Sequence, residues 1–200
     1  MKSTLHCFFL FVCFSLFAFS ANAQLKSPFA KGRSVAQDVE KILDDYPNRF
    51  SSFTGEKIAE NPQSVEYACT FLPEGAEESV ITRYSAGGRR TVVAWRATML
   101  TTENFSEASK KFRQLYSALN NKKISIRLNP YNLKNEGTYE QPTEEKDFYS
   151  VIFKLDPNDD RYGHLRVEVS LQAVMMEWRI SVIVYERDRA DNERGDIKAD

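Results

Sequence analysis

Apolar residues recur at helical spacing in two stretches of the chain. In the first, Val35, Val39, Ile42, Leu43 and Tyr46 fall on one face; Ser34 precedes them as a cap, Gln37 returns the bond, and Pro47 ends the run. In the second, Phe105, Ala108, Phe112, Leu115, Tyr116 and Leu119 repeat behind Asn104, with Glu107 placed as its capping-box partner. Two amphipathic helices are therefore expected.

Elsewhere the period shortens to two. Val65, Tyr67, Cys69 and Phe71 alternate with polar or small residues, and strands are expected again over 79–84 and 90–100 as a meander. Gly87-Gly88 reads as a hairpin turn; a phosphate-cradling loop would deliver the chain into a helix, and here a strand follows. A second set starts at Ile124, Ile126 and Leu128 and continues over 148–155, 164–172 and 176–186. The pattern predicts an antiparallel α+β domain, with both helices on one face of a curved sheet.

The domain reads as two similar halves, about 34–100 and 104–187. Lys41-Ile42 and Tyr46 correspond to Lys111-Phe112 and Tyr116, and Trp95-Arg96 recurs as Trp178-Arg179. An insertion between Asn129 and Lys146, carrying Tyr131, Tyr139 and two prolines, absorbs the change in offset. A loop of that length is usually a binding loop or disordered.

The ends read differently. Lys2, an apolar stretch from Leu5 to Phe19 and Ala21-Asn22-Ala23 have the layout of a cleavable secretory signal over residues 1–23. Cys13 lies inside the apolar stretch, not at a lipidation point. A linker is expected over 24–33, the folded domain over 34–187, and a disordered charged tail over 188–200. The expected location is periplasmic or extracellular, with no membrane span after cleavage. Cleavage leaves 200 − 23 = 177 residues, enough to bury about 70% of the unfolded chain's surface. Cys69 then has no partner for a disulfide, and reads as a small buried hydrophobe. Removing Lys2 leaves 27 − 1 = 26 basic residues against 28 acidic ones, a balance that offers no field for nucleic acid.

Chemistry-bearing residues are sparse. His164 is the histidine left after cleavage, and it reads as a solvated surface residue beside Arg166 and Glu168. Asp156, Asn158 and Asp160 have the first spacings of a calcium loop, but Arg161 stands at the glycine position and Val167 at the final glutamate. An acidic turn is the better reading, and no metal or cofactor is expected. Adjacent acid pairs such as Asp44-Asp45 read as solvated, not catalytic. Trp95 and Trp178 read as core residues, the latter sharing a face with Met176, Ile180 and Val182.

Arg83, Arg96, Arg127, Arg166 and Arg179 fall between apolar positions of the expected strands, which places them with Glu66, Glu168 and Glu177 on an exposed polar face. These patterns favour a non-enzymatic binding module. Its partner, a protein or glycan, would meet the sheet face and the loop 129–146 through Arg96, Arg166, Arg179, Tyr131 and Tyr139. The alternatives are a hydrolase using scattered carboxylates and a carrier of an apolar ligand.

Overall fold

The computed structural model describes residues 32–85 and 91–187. The expected signal peptide, most of the expected linker, the expected Gly87-Gly88 turn and the expected tail lie outside them. No helix among the described residues is long and apolar enough to cross a membrane.

The first helix, α1, spans Val35–Asp45, and its capping box is formed in both directions between Ser34 and Gln37. Pro47 enters a short 3-10 turn, Tyr46–Asn48, and Arg49 and Phe50 then adopt left-handed backbone, which turns the chain away. The second helix, α2, spans Phe105–Leu119. Its cap is formed in one direction. Asn104 accepts from the Glu107 amide, whereas the Glu107 carboxylate takes the Thr102 hydroxyl, which in turn accepts from the Asn104 amide.

The strands are β1 Thr54–Asn61, β2 Ser64–Cys69, β3 Glu78–Ser85, β4 Thr91–Thr102, β5 Lys123–Ile126, β6 Asn129–Asn135, β7 Phe148–Asp156, β8 Leu165–Val174 and β9 Glu177–Glu186. They form one antiparallel sheet in the order β1-β2-β3-β4-β9-β8-β7-β6-β5, so the fold is α+β. Two of these strands differ from the sequence expectation. β1 is an edge strand with mostly exposed residues, hence without alternation. Gly55 lets it approach β2, since a Cβ there would stand 2.8 Å from the Ala68 carbonyl oxygen. The other, β6, occupies the first half of the expected insertion loop.

The chain leaves the sheet centre at the end of β4, crosses in α2 and re-enters at the far edge as β5. Its last strand, β9, then returns to pair with β4. Both helices pack on one sheet face. Val39, Ile42 and Leu43 of α1 and Ala108, Phe112, Leu115 and Leu119 of α2 join Trp95, Ala97, Val169, Leu171, Val182 and Val184 in one core. Full burial of each Leu, Val or Phe side chain contributes about 1.5–3 kcal/mol, and this layer holds the sheet. Trp95 also donates its indole N–H to the Ser79 hydroxyl at 2.7 Å, so its polar atom is satisfied within the core. The alternate residues of the same strands belong to the second, helix-free face.

Candidate functional site

At the sheet centre the register sets side chains of the helix-free face in rows across the strands. One row runs Ser150, Ser170, Ser181, Thr98, Glu78 from β7 to β3. The next runs Ile152, Glu168, Ile183, Arg96, Val80. On the other side of the hydroxyl row stand Phe148, Gln172, Arg179 and Thr101. Thr98 and Ser181 are buried, and the Thr98 hydroxyl donates to Glu78 at 2.9 Å.

Arg96 and Arg179 flank that buried pair from opposite ends. Each precedes it by two residues on its own strand, in the segments Trp95-Arg96-Ala97-Thr98 and Trp178-Arg179-Ile180-Ser181. Because the strands are antiparallel, the two arginines lie four residues apart along the strands, roughly 13 Å by strand rise. Both are half-buried, and among the described residues no hydrogen bond or ion pair engages either guanidinium. A half-desolvated guanidinium with unpaired donors suits carboxylate or phosphate oxygens, which it meets in forked geometry.

The other expected members of an arginine face are buried and paired or lie elsewhere. Arg166 is a correction. It is 9% exposed, its Nε donates to Glu136 at 2.9 Å, and one terminal nitrogen donates to the carbonyls of Gly163 at 2.6 Å and Leu165 at 2.8 Å. Glu136 also takes Arg187 at 2.7 Å, so Arg166 is a fastener between the start of β8, the end of β6 and the end of β9. Arg83 lies on the helix side, over the Tyr67 ring and against the Thr54 hydroxyl. Arg127 is in the β5–β6 turn with left-handed backbone, bound to Asp44 through its amide and to Asn48 through its guanidinium. Glu168 shares the face with Arg96 but is buried.

The expected loop tyrosines are packed. Tyr131 is buried in β6, facing away from solvent, and its hydroxyl donates to Asp159 at 2.8 Å. Burial, then this bond to a carboxylate, raises its pKa. Tyr139 is half-buried; its ring stacks on Tyr116 of α2 with centroids 4.3 Å apart, and burial raises its pKa as well. Gln141 reaches the Ser109 hydroxyl of α2 at 3.2 Å, and Pro142 is buried. Within the strap of residues 136–147, Tyr139 and Gln141 thus pack on α2.

The acidic turn after β7 holds a depression of about 630 Å³ lined by Asn129, Tyr131, Asn158, Asp159, Asp160 and Arg161, among others. Asp159 faces Arg161, which donates through its side chain at 2.6 Å and through its amide at 2.9 Å. Those bonds, with that of Tyr131, hold the Asp159 carboxyl far below the usual carboxylate range. Among the described residues no three His, Cys, Asp or Glu side chains gather as a metal site.

His164 is likewise a correction. It is half-buried just before β8, and its Nε2 lies 2.8 Å from the Tyr46 hydroxyl, which also donates to Glu186 at 2.7 Å. The Tyr46 ring meets His164 and Tyr162 edge-on. This histidine, tyrosine and glutamate come from the end of α1, the β7–β8 turn and the end of β9. They have no shared spacing by which the sequence would reveal them. Cys69 is half-buried in β2.

Comparison of the chain with protein-family models, with curated proteins and with solved structures finds no match.

Proposed function

We propose that the chain is an exported, non-enzymatic binding module that grips anionic groups of a protein or glycan partner on its helix-free sheet face. Arg96 and Arg179 are the gripping residues. The observation that carries this reading is their shared situation: both are half-buried, both lack a described partner, and both flank Thr98 and Ser181. Nothing about packing calls for two partially desolvated, unpaired guanidiniums in the middle of a sheet, since such groups are ordinarily paired. Tyr131, Tyr139 and Arg166 are left out because each is occupied in packing or pairing.

We also infer that the two halves are related by an internal repeat. Its support is the common order of a helix followed by an antiparallel meander, with the last strand of each half, β4 and β9, paired at the centre. Export rests on the amino-terminal pattern, and sequencing of the amino terminus of material from the medium or envelope checks it: a start near Gln24 is expected, and a start at Met1 refutes it.

Retention on immobilised polygalacturonate and poly-glutamate, against neutral dextran, tests the binding site. The full chain is expected to be retained at low salt on at least one polyanion, and Arg96→Ser/Arg179→Ser to lose that retention at an unchanged melting temperature. Equal retention of the variant, or none by the parent chain, refutes the reading.

A further inference from the structure

We propose that the β8–β9 hairpin tip is a second docking surface, built to receive a cationic amphipathic segment of a partner protein. The hairpin closes through Met175-Met176, between Val174 and Glu177. Met175 is 101% and Met176 86% exposed, so neither side chain contributes to the core. Met175 also has φ 58°, in a two-residue loop whose first position ordinarily goes to glycine when its backbone is left-handed. The chain thus places a methionine where both backbone preference and hydration oppose it. Local strain of this kind without a packing return points to a function at the residue that carries it.

The surroundings define the occupant. Two apolar groups adjoin the tip, one on each face of the sheet: Phe148, 41% exposed and opposite Gln172, on the helix-free face, and Trp178 with Phe105, edge-on at 5.0 Å, on the helix face. Flexible, polarizable methionines projecting between them adapt to varied apolar side chains. Acids surround the tip. Glu177 opens β9 and is exposed; Asp147 is exposed and its carbonyl takes the Ala173 amide; Glu103 follows Thr102, which pairs with Trp178. Glu144 and Glu145 precede Asp147 in the strap and are exposed. Of the basic residues nearby, Lys146 is bound to Glu140 at 2.6 Å and lies over the Tyr149 ring, and Arg179 stands opposite Gln172 on the helix-free face, farther from the tip than Glu177. An apolar knob in an acidic collar matches a helix with one apolar face and a lysine- or arginine-rich flank, and repels an anionic membrane.

The methionine tip and its acids include neither Arg96 nor Arg179, so the test does not depend on that reading. A fluorescent Leu/Lys amphipathic peptide is titrated against the full chain, beside a Leu/Glu peptide of the same length. Micromolar binding of the Leu/Lys peptide is expected, weakened at least ten-fold by Met175→Gly/Met176→Asn and by Glu177→Lys/Asp147→Lys. The first variant also relieves the left-handed methionine, so its melting temperature holds or rises, which separates lost docking from lost folding. Unchanged peptide affinity in both variants refutes the proposal, as does equal binding of the Leu/Glu peptide. Loss in Met175→Gly/Met176→Asn of binding to phosphatidylglycerol vesicles, or of concentration-dependent dimerisation, with peptide affinity intact, assigns the tip to a membrane or to a second copy and refutes it too.

Discussion

Thr98 lies directly opposite Ser181 across the central β4–β9 pair, and the two are 181 − 98 = 83 residues apart, the same interval that separates Trp95 from Trp178 (178 − 95 = 83). A local two-fold between the proposed halves requires that coincidence. Its axis would pass between Thr98 and Ser181, and residues placed alike in each half would then sit at equal distances on either side. Trp95 faces Val184 and Trp178 faces Thr102; strict symmetry asks for Thr101, and the one-residue register shift between Thr98 and Leu100 makes the difference. Trp95 and Trp178 both pack on the helix side. By strand alternation Arg96 and Arg179 both take the helix-free side.

If the two arginines are equivalent, their single variants should behave alike. Arg96→Ser and Arg179→Ser are each expected to weaken polyanion binding by a similar factor, with the double variant losing the sum in free energy. Neither has an ion pair among the described residues to lose, so each should change stability by less than about 1 kcal/mol. Urea midpoints and binding isotherms measured side by side check both statements. A large effect confined to one arginine would break the symmetry.

Arg166→Ser should behave in the opposite way. Removing it strands the Glu136 carboxylate with Arg187 alone and leaves the carbonyls of Gly163 and Leu165 without their donor. Breaking one side of a largely buried pair costs about 3 kcal/mol. A fall of that size in the unfolding free energy is expected, whereas a loss near zero would show that the network is solvated in solution.

Periodicity made the helix-facing half of this molecule legible. Where one face of a strand meets the core and the other does not, as in Leu165, Val167, Val169 and Leu171, apolar residues must alternate and the strand reads directly. β1 and β6 escaped for physical reasons: the first has hardly any buried residue, and the second buries only Tyr131 and Leu133 between polar neighbours. Met176 continues the Trp178, Ile180, Val182 alternation in the sequence, but it is 86% exposed because the alternation ends where the hairpin turns. Alternation placed Arg96 and Arg179 on the polar face of the expected strands. The same pattern set Arg166 beside them, because alternation assigns a face and says nothing about which partner closes over it. Contacts such as Tyr131 with Asp159 join residues 28 apart and are decided by the packed fold.

The Asp159 carboxyl links stability to acid. Its folded pKa is depressed by Arg161 first and by Tyr131 after it, so the stabilisation is present above the unfolded value near 4 and is lost as pH falls below it toward the folded value. Asp159→Asn keeps an acceptor for Tyr131 but removes the charge. The parent chain should therefore melt above this variant at pH 7, and the gap should close progressively between about pH 4 and pH 2. A gap independent of pH would assign the effect to packing.

Tyr46 ties three separate parts of the chain through one hydroxyl, and its direction of donation can be worked out. An ionised Glu186 accepts only, so the Tyr46 proton points to Glu186 and the Tyr46 oxygen must receive the proton of His164 Nε2. His164 is then the Nε2–H tautomer when neutral. Tyr46→Phe keeps the ring against Phe50, Tyr162 and His164 but removes the hydroxyl's bonds to His164 and Glu186. With Glu186 buried, a cost of about 2 kcal/mol is expected in denaturant unfolding. His164→Ala in the Tyr46→Phe background should cost less than His164→Ala alone, because the shared bond is already gone. Nitrogen chemical shifts of His164 near pH 8 provide the second check: a protonated Nε2 is expected, and an Nδ1–H tautomer would mean that the Tyr46 proton points to the histidine instead.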